Sequence, residues 1–217
     1  YFKQEYYFIY ATQNLDCFVS VSNALKTCAV NLSKFSNDLR LLSSGPRTGL
    51  HEINLPAKQN GSSIMPGKVN PVIPEVVTQV AYLVIGHDTT ITMAAEAGQM
   101  ELNAFEPVLF YNIFESIETL TGAVNTLTNN CVTGITANEK ECRSYVEHSV
   151  GISTALCPYI GYKKSAEIAK LSLKTGRTVK EIVLSENLLS ESQLNEILNP
   201  VNLTEPENEL ETIAKAM

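Results

Sequence analysis

Four side chains within Gly61 to Pro71, GSSIMPGKVNP, are of types that do chemistry: the adjacent hydroxyls of Ser62 and Ser63, the ammonium of Lys68 and the amide of Asn70. Lys68 and Asn70 stand just ahead of an apolar segment that reads as a helix, and a helix N-terminus offers free N–H groups and a positive dipole end to anions. The spacing suits a loop that binds a carboxylate. Gly61 and Gly67 give the backbone freedom to close over a ligand. One of the two serines would act as a base if loop amides and the nearby cation stabilised its alkoxide. A phosphate loop does not fit, because five residues separate Gly61 from Gly67 where four are needed and Val69 stands where Ser or Thr should hold magnesium. An SxxK acylase does not fit either: Met65 follows Ser62 by three and Pro66 follows Ser63 by three. Without such chemistry, a Gly/Pro/Ser/Asn cluster between helices is a plain connection.

The elements that must hold this loop read as helices. From Leu15 to Leu42 there is no Gly or Pro, and Phe18, Val21, Leu25, Val30 and Leu32 recur at roughly helical spacing until SSGPR (Ser43 to Arg47) stops the run. A second helix is expected from Asn70, as N-cap, through Pro71 at the first helical position towards Ala97. It is apolar nearly all round (Val72, Ile73, Val76, Val77, Val80, Leu83, Val84, Ile85), so other helices must surround it, within the chain or across subunits. Glu106 to Cys131 predicts a third. After Gly134 the pieces shorten, with capping boxes expected at Thr136–Glu139, Thr178–Glu181 and Ser190–Gln193, a linker at Cys157 to Tyr162, and helices over Lys163 to Thr175, Thr178 to Asn187 and Glu191 to Leu198. The expected fold is all-α: an elongated bundle of long helices over 11–157, carrying the loop 61–70, with a small helical domain over 158–217. Residues 1–10, YFKQEYYFIY, form a divergent N-terminal segment.

Composition excludes several classes. The 217 residues carry a net charge of -7 with pI near 5.0, without the clustered Lys and Arg that a nucleic-acid binder needs. Five dispersed cysteines without CxxC spacing suggest reduced thiols in a cytoplasmic protein. Three histidines at no metal-ligand spacing give a zinc site no support. The apolar run Val76 to Gly86 is too short for a membrane span and is followed at once by His87 and Asp88.

GSSIMPGKVNP resembles the GSSxMPxKxN signature of the aspartase/fumarase superfamily. The likeness extends from about Ala11 to the C-terminus, through ATQNLDCFVSVSNAL, NDLRLLSSGPRTGLHEINLP, NPVIPEVV, MAAEAGQMELNAFEPV and VTGITANE. Within the superfamily NPVIPEVV and AEAGQ are similar to the aspartate ammonia-lyase branch, whereas class II fumarases tend to read NPTQCEA and GxNGH there.

The resemblance implies a lyase that eliminates ammonia from L-aspartate to give fumarate, with no cofactor and no metal. It makes Ser62 the general base, which removes the proton next to a carboxylate. Lys68 and Asn70 would bind the substrate carboxylate, Ser63 would add a donor, and Glu75 would support an active-site histidine of a neighbouring subunit. Arg47 is expected to anchor a helix end by bonding carbonyls. A homotetramer follows from the family, with L-aspartate and fumarate as small-molecule partners and no nucleic acid or membrane. Family members are about twice this length, and each site combines three segments from three subunits. The two preceding segments, one Ser/Thr-rich and one Thr-His, are not in this sequence, so the chain alone is expected to turn over little aspartate. Two alternatives remain: a class II fumarase acting on malate and fumarate, and an inactive helical assembly module.

Overall fold

The computed structural model describes residues 3–204. The chain divides into two compact units between Asn138 and Glu139, ahead of the boundary at Cys157 expected from sequence. Among the described residues no helix is long and apolar enough to cross a membrane.

In the first unit a short α1 (Phe8–Gln13), with no buried residue, precedes three long helices: α2 (Asp16–Leu42), α3 (Val72–Glu96) and α4 (Glu106–Asn130). Their core comes in three tiers. Leu15 meets Ile91, Ala94, Leu109 and Ile113; Ala29 meets Ala81, Val84 and Leu120; Leu39 meets Val77, Ala123, Leu127 and Cys131. Rising numbers along α2 thus pair with falling numbers along α3 and rising ones along α4, so α3 runs antiparallel to both helices and packs against both.

The buried face of α2 differs from the expected one. Val21 and Val30 are about half exposed, whereas Ser22, Ala29, Ser33, Ser36 and Leu39 are buried. Small side chains let α3 approach closely, and the larger branched ones are left outside that contact. A polar cross-link joins the two helices: buried Asp88 accepts hydrogen bonds from the Ser22 hydroxyl (2.7 Å) and the Lys26 ammonium (2.6 Å). The Ser36 hydroxyl is fully buried without a partner among the described residues. At the α3–α4 turn, buried Asn103 donates to the carbonyls of Ala94 (2.9 Å) and Ala95 (3.3 Å) and accepts from the Phe105 N–H (2.8 Å). One side chain thereby satisfies orphan groups at two helix ends.

A two-residue antiparallel pair, β1 (Ile53–Asn54) with β2 (Thr136–Ala137), was not expected. It overturns the capping box at Thr136, whose backbone is extended in the strand and whose hydroxyl instead accepts from Asn54 (3.2 Å).

The second unit holds α5 (Glu139–His148), a 3-10 turn (Val150–Leu156), α6 (Cys157–Ile160), α7 (Tyr162–Thr175), α8 (Val179–Ser185), α9 (Glu191–Ile197) and α10 (Pro200–Thr204). CPYIGY is therefore not a linker: Cys157 opens α6, and Gly161, at φ 78°, enters α7. Leu156, Ile168, Val179, Ile182, Val183 and Leu194 form this unit's core. Both remaining capping boxes are present, at Thr178–Glu181 and Ser190–Gln193.

Candidate functional site

The signature loop is held by two stems that rest on one apolar tier. Ile53 and Leu55 on the incoming side and Ile73 on the outgoing side all pack against Leu39, Val77, Ala123, Leu127 and Cys131. Pro56 is pressed so closely on Gly134 that a Cβ there would lie 2.5 Å from its ring. β1 ends just upstream of Pro56, and β2 begins just downstream of Gly134. The loop's ends are thus fixed by the ends of the long helices, while Ile64 (84% exposed) and Met65 stand at its exposed tip.

Inside the loop the backbone folds on itself. The Gly61 N–H donates to the Lys68 carbonyl (2.9 Å), and the Lys68 N–H to the Met65 carbonyl (3.3 Å). The half-buried Ser62 accepts at its Oγ from two backbone amides, Ile64 N–H (3.2 Å) and Met65 N–H (3.3 Å). Donors aimed at this oxygen favour the charged form of the group they bond. Ser63 is exposed, and neither its hydroxyl nor the exposed Lys68 ammonium has a hydrogen-bond or ion-pair partner among the described residues.

Asn70 is not the N-cap of α3. Pro71 holds that position, at φ -79° and ψ 58°, and the Asn70 amide turns back to donate to the Gly61 carbonyl (3.1 Å). The residue before a proline is pushed out of the helical region, and its side chain is then free to serve the loop. Pro71 and Pro74 have no N–H, and the Val72 N–H is spent on the Asn70 carbonyl (2.9 Å). The α3 N-terminus therefore offers fewer amides to an anion than the sequence suggests.

Glu75, one turn into α3, faces α2, with Oε1 3.9 Å from the Arg40 guanidinium. Arg47 does not anchor a helix end: it is exposed and bonds no carbonyl among the described residues. Gly61, next to Ser62 in sequence, thus bonds the Lys68 backbone carbonyl and the Asn70 amide, whereas Ser63, Glu75 and Arg47 stand outside that hydrogen-bond set. Among the described residues no group of three or more His, Cys, Asp or Glu side chains could hold a metal ion. Sequence reasoning assigned no role to Asn103 or to the Ser22–Asp88–Lys26 set, since neither carries a local motif.

Known proteins resemble this chain in sequence and fold. A family model described as lyase matches residues 3–86, including the segment 3–10 set apart above, and one described as fumarase C C-terminus matches residues 152–205. Aspartate ammonia-lyase of Bacillus sp. is 56% identical over 196 residues, which are 90% of this chain and 42% of that protein. A fumarate lyase:delta crystallin from Brucella melitensis superposes with a TM-score of 0.88 at 52% identity, covering 94% of this chain and 44% of that one. A class II fumarase from Schistosoma mansoni gives a TM-score of 0.88 at 36% identity, covering 95% and 43%. The chain spans less than half the length of each.

Proposed function

The chain belongs to the aspartase/fumarase superfamily, and from that premise we propose that it carries the base and the carboxylate-binding side chains of an aspartate ammonia-lyase. Ser62 is the general base: it takes the proton from the carbon next to the carboxylate of L-aspartate, the carboxylate carries the resulting charge, and ammonia leaves to give fumarate. The two amides that donate to the Ser62 oxygen stabilise its alkoxide, and this observation carries the assignment. Exclusion of water as the loop closes strengthens those bonds further. Lys68 supplies charge and Asn70 an oriented N–H to the substrate carboxylate, and Ser63, with its free hydroxyl, adds a donor on closure. Glu75 supports the site from α3 by pairing with a histidine of a neighbouring subunit, and its carboxylate lies 3.9 Å from the Arg40 guanidinium. L-aspartate is preferred over malate as substrate because identity is 56% to the aspartate ammonia-lyase and 36% to the fumarase.

The chain works as part of a larger assembly. Tyr82, Met93, Tyr111 and Phe114 on α3 and α4 are each more than 60% exposed, an apolar surface suited to contact with further helices. We place it in a homotetramer, with the rest of the site supplied by sequence outside these residues.

The test is fumarate formation from L-aspartate by the purified chain supplemented with the N-terminal part of the Bacillus relative, with L-malate in parallel. Aspartate-dependent fumarate that falls roughly 100- to 10,000-fold in Ser62→Ala is expected. Product from malate alone would move the assignment to the fumarase branch. Activity that survives Ser62→Ala would remove the serine from the mechanism.

A further inference from the structure

We propose that Gly61 is a positioning residue that closes residues 61–68 into a ring, so that the backbone segments that carry Ser62 and Lys68 move as one piece with Asn70 tied to it. The functional weight of those side chains rests on the lyase assignment above; the closure itself does not. Both backbone polar groups of Gly61 are spent on the residues assigned to the substrate carboxylate. Its N–H donates to the Lys68 carbonyl (2.9 Å), and its carbonyl accepts from Asn70 Nδ2 (3.1 Å). Within the ring, Ser62 Oγ holds the amides of Ile64 and Met65, and the Met65 carbonyl holds the Lys68 N–H.

No other residue fits at 61. A Cβ there would lie 2.5 Å from the Lys68 carbonyl oxygen and 2.8 Å from its carbon, backbone atoms that yield only if the ring opens. Gly67 differs: its φ of 78° favours glycine, but a Cβ there meets nothing within 4 Å. The Asn70 amide has two N–H donors, and with one on Gly61 its plane is set. The second N–H and the Oδ1 are then oriented for a ligand before it arrives. Because the ring closes on itself, motion of the loop is left to the residues outside it, and the base cannot approach substrate without the backbone that carries Lys68.

The experiment is amide hydrogen exchange on the isotopically labelled full chain, with a fumarate titration followed at the Asn70 side-chain amide. Gly61→Ala is expected to speed exchange at Ile64, Met65 and Lys68 roughly five- to tenfold while amides within α3 keep their protection. It should weaken fumarate binding by at least that factor with the thermal midpoint unchanged, a pairing that a purely structural lesion would not give. Asn70→Asp, which cannot donate to the Gly61 carbonyl, should speed exchange at the same amides and serves if Gly61→Ala does not fold. Gly67→Ala should leave the exchange of Ile64 and Met65 slower than Gly61→Ala does. Unchanged exchange in both Gly61→Ala and Asn70→Asp overturns the ring. A wild-type chain whose loop ignores fumarate even with the N-terminal part of the Bacillus relative present counts against the lyase assignment instead, and the exchange data then decide the ring alone.

Discussion

Asp88 is buried midway along α3 with both carboxylate oxygens occupied, by Ser22 and Lys26 of α2. Its removal strands a buried hydroxyl and a half-buried ammonium, so Asp88→Ala should cost roughly 2–3 kcal/mol and Ser22→Ala about 1 kcal/mol in urea unfolding. Burial pushes the Cys131 thiol up, which suppresses the thiolate that reacts with alkylating agents. Cys131 should stay unmodified in the folded chain and label on denaturation, as mass spectrometry would record. At this scale the loop was legible because Ser62, Lys68 and Asn70 are close in sequence and their types speak for themselves. Asp88 was not, because its hydrogen-bonded partner Ser22 lies 66 positions away. Asn70 was placed correctly in the loop but given the wrong local duty, since proline at 71 shifts the cap by one residue.

The helices themselves were readable from punctuation. Pro71 and Gly98 bracket α3 to within two residues, Pro107 marks the first turn of α4, SSGPR follows the end of α2, and reciprocal side-chain bonds at Thr178–Glu181 and Ser190–Gln193 mark α8 and α9. The phase of α2 was not readable, because a seam of serine and alanine carries no hydropathy signal. Neither was β2, where Thr136 pairs with a strand more than eighty residues upstream. The Glu181 carboxyl is held below its ordinary value, first by the Thr178 backbone N–H and then by its hydroxyl. A lowered folded-state value stabilises the folded state above the ordinary carboxylate range and is lost as pH falls through the folded value. Amide protection across the first turn of α8 should therefore decline as acid is added below about pH 4.5, and Glu181→Gln should flatten that dependence.

For the molecule as a whole, the near-uniform apolarity of α3 pointed to surrounding helices, and two of them are α2 and α4. Which faces remain outward depends on how three helices share one seam, and periodicity within one helix does not contain that. Val76, Tyr82, Leu83 and Met93 of α3 and Tyr111, Phe114 and Ile117 of α4 keep more than two-fifths of their surface. Sedimentation velocity should show a concentration-dependent assembly larger than a monomer, and the charged replacement Phe114→Glu should shift it to smaller species without loss of helicity. A monomer at all concentrations would refute the assembly assigned above.

The loop's exposed tip, Ser63 to Pro66, sits on a ring that closes through its own backbone and on stems that rest on one apolar tier. Mutational tolerance should divide accordingly. Most side-chain changes over 63–66 cost the fold within about 0.5 kcal/mol, whereas changes in the tier beneath do not share that freedom. In a library scored once for folding and once for turnover, the tip should be silent in the first screen and informative in the second. Heritable variation there is visible to selection through substrate alone, which makes those four positions the place where new specificity can arise without prior stabilisation.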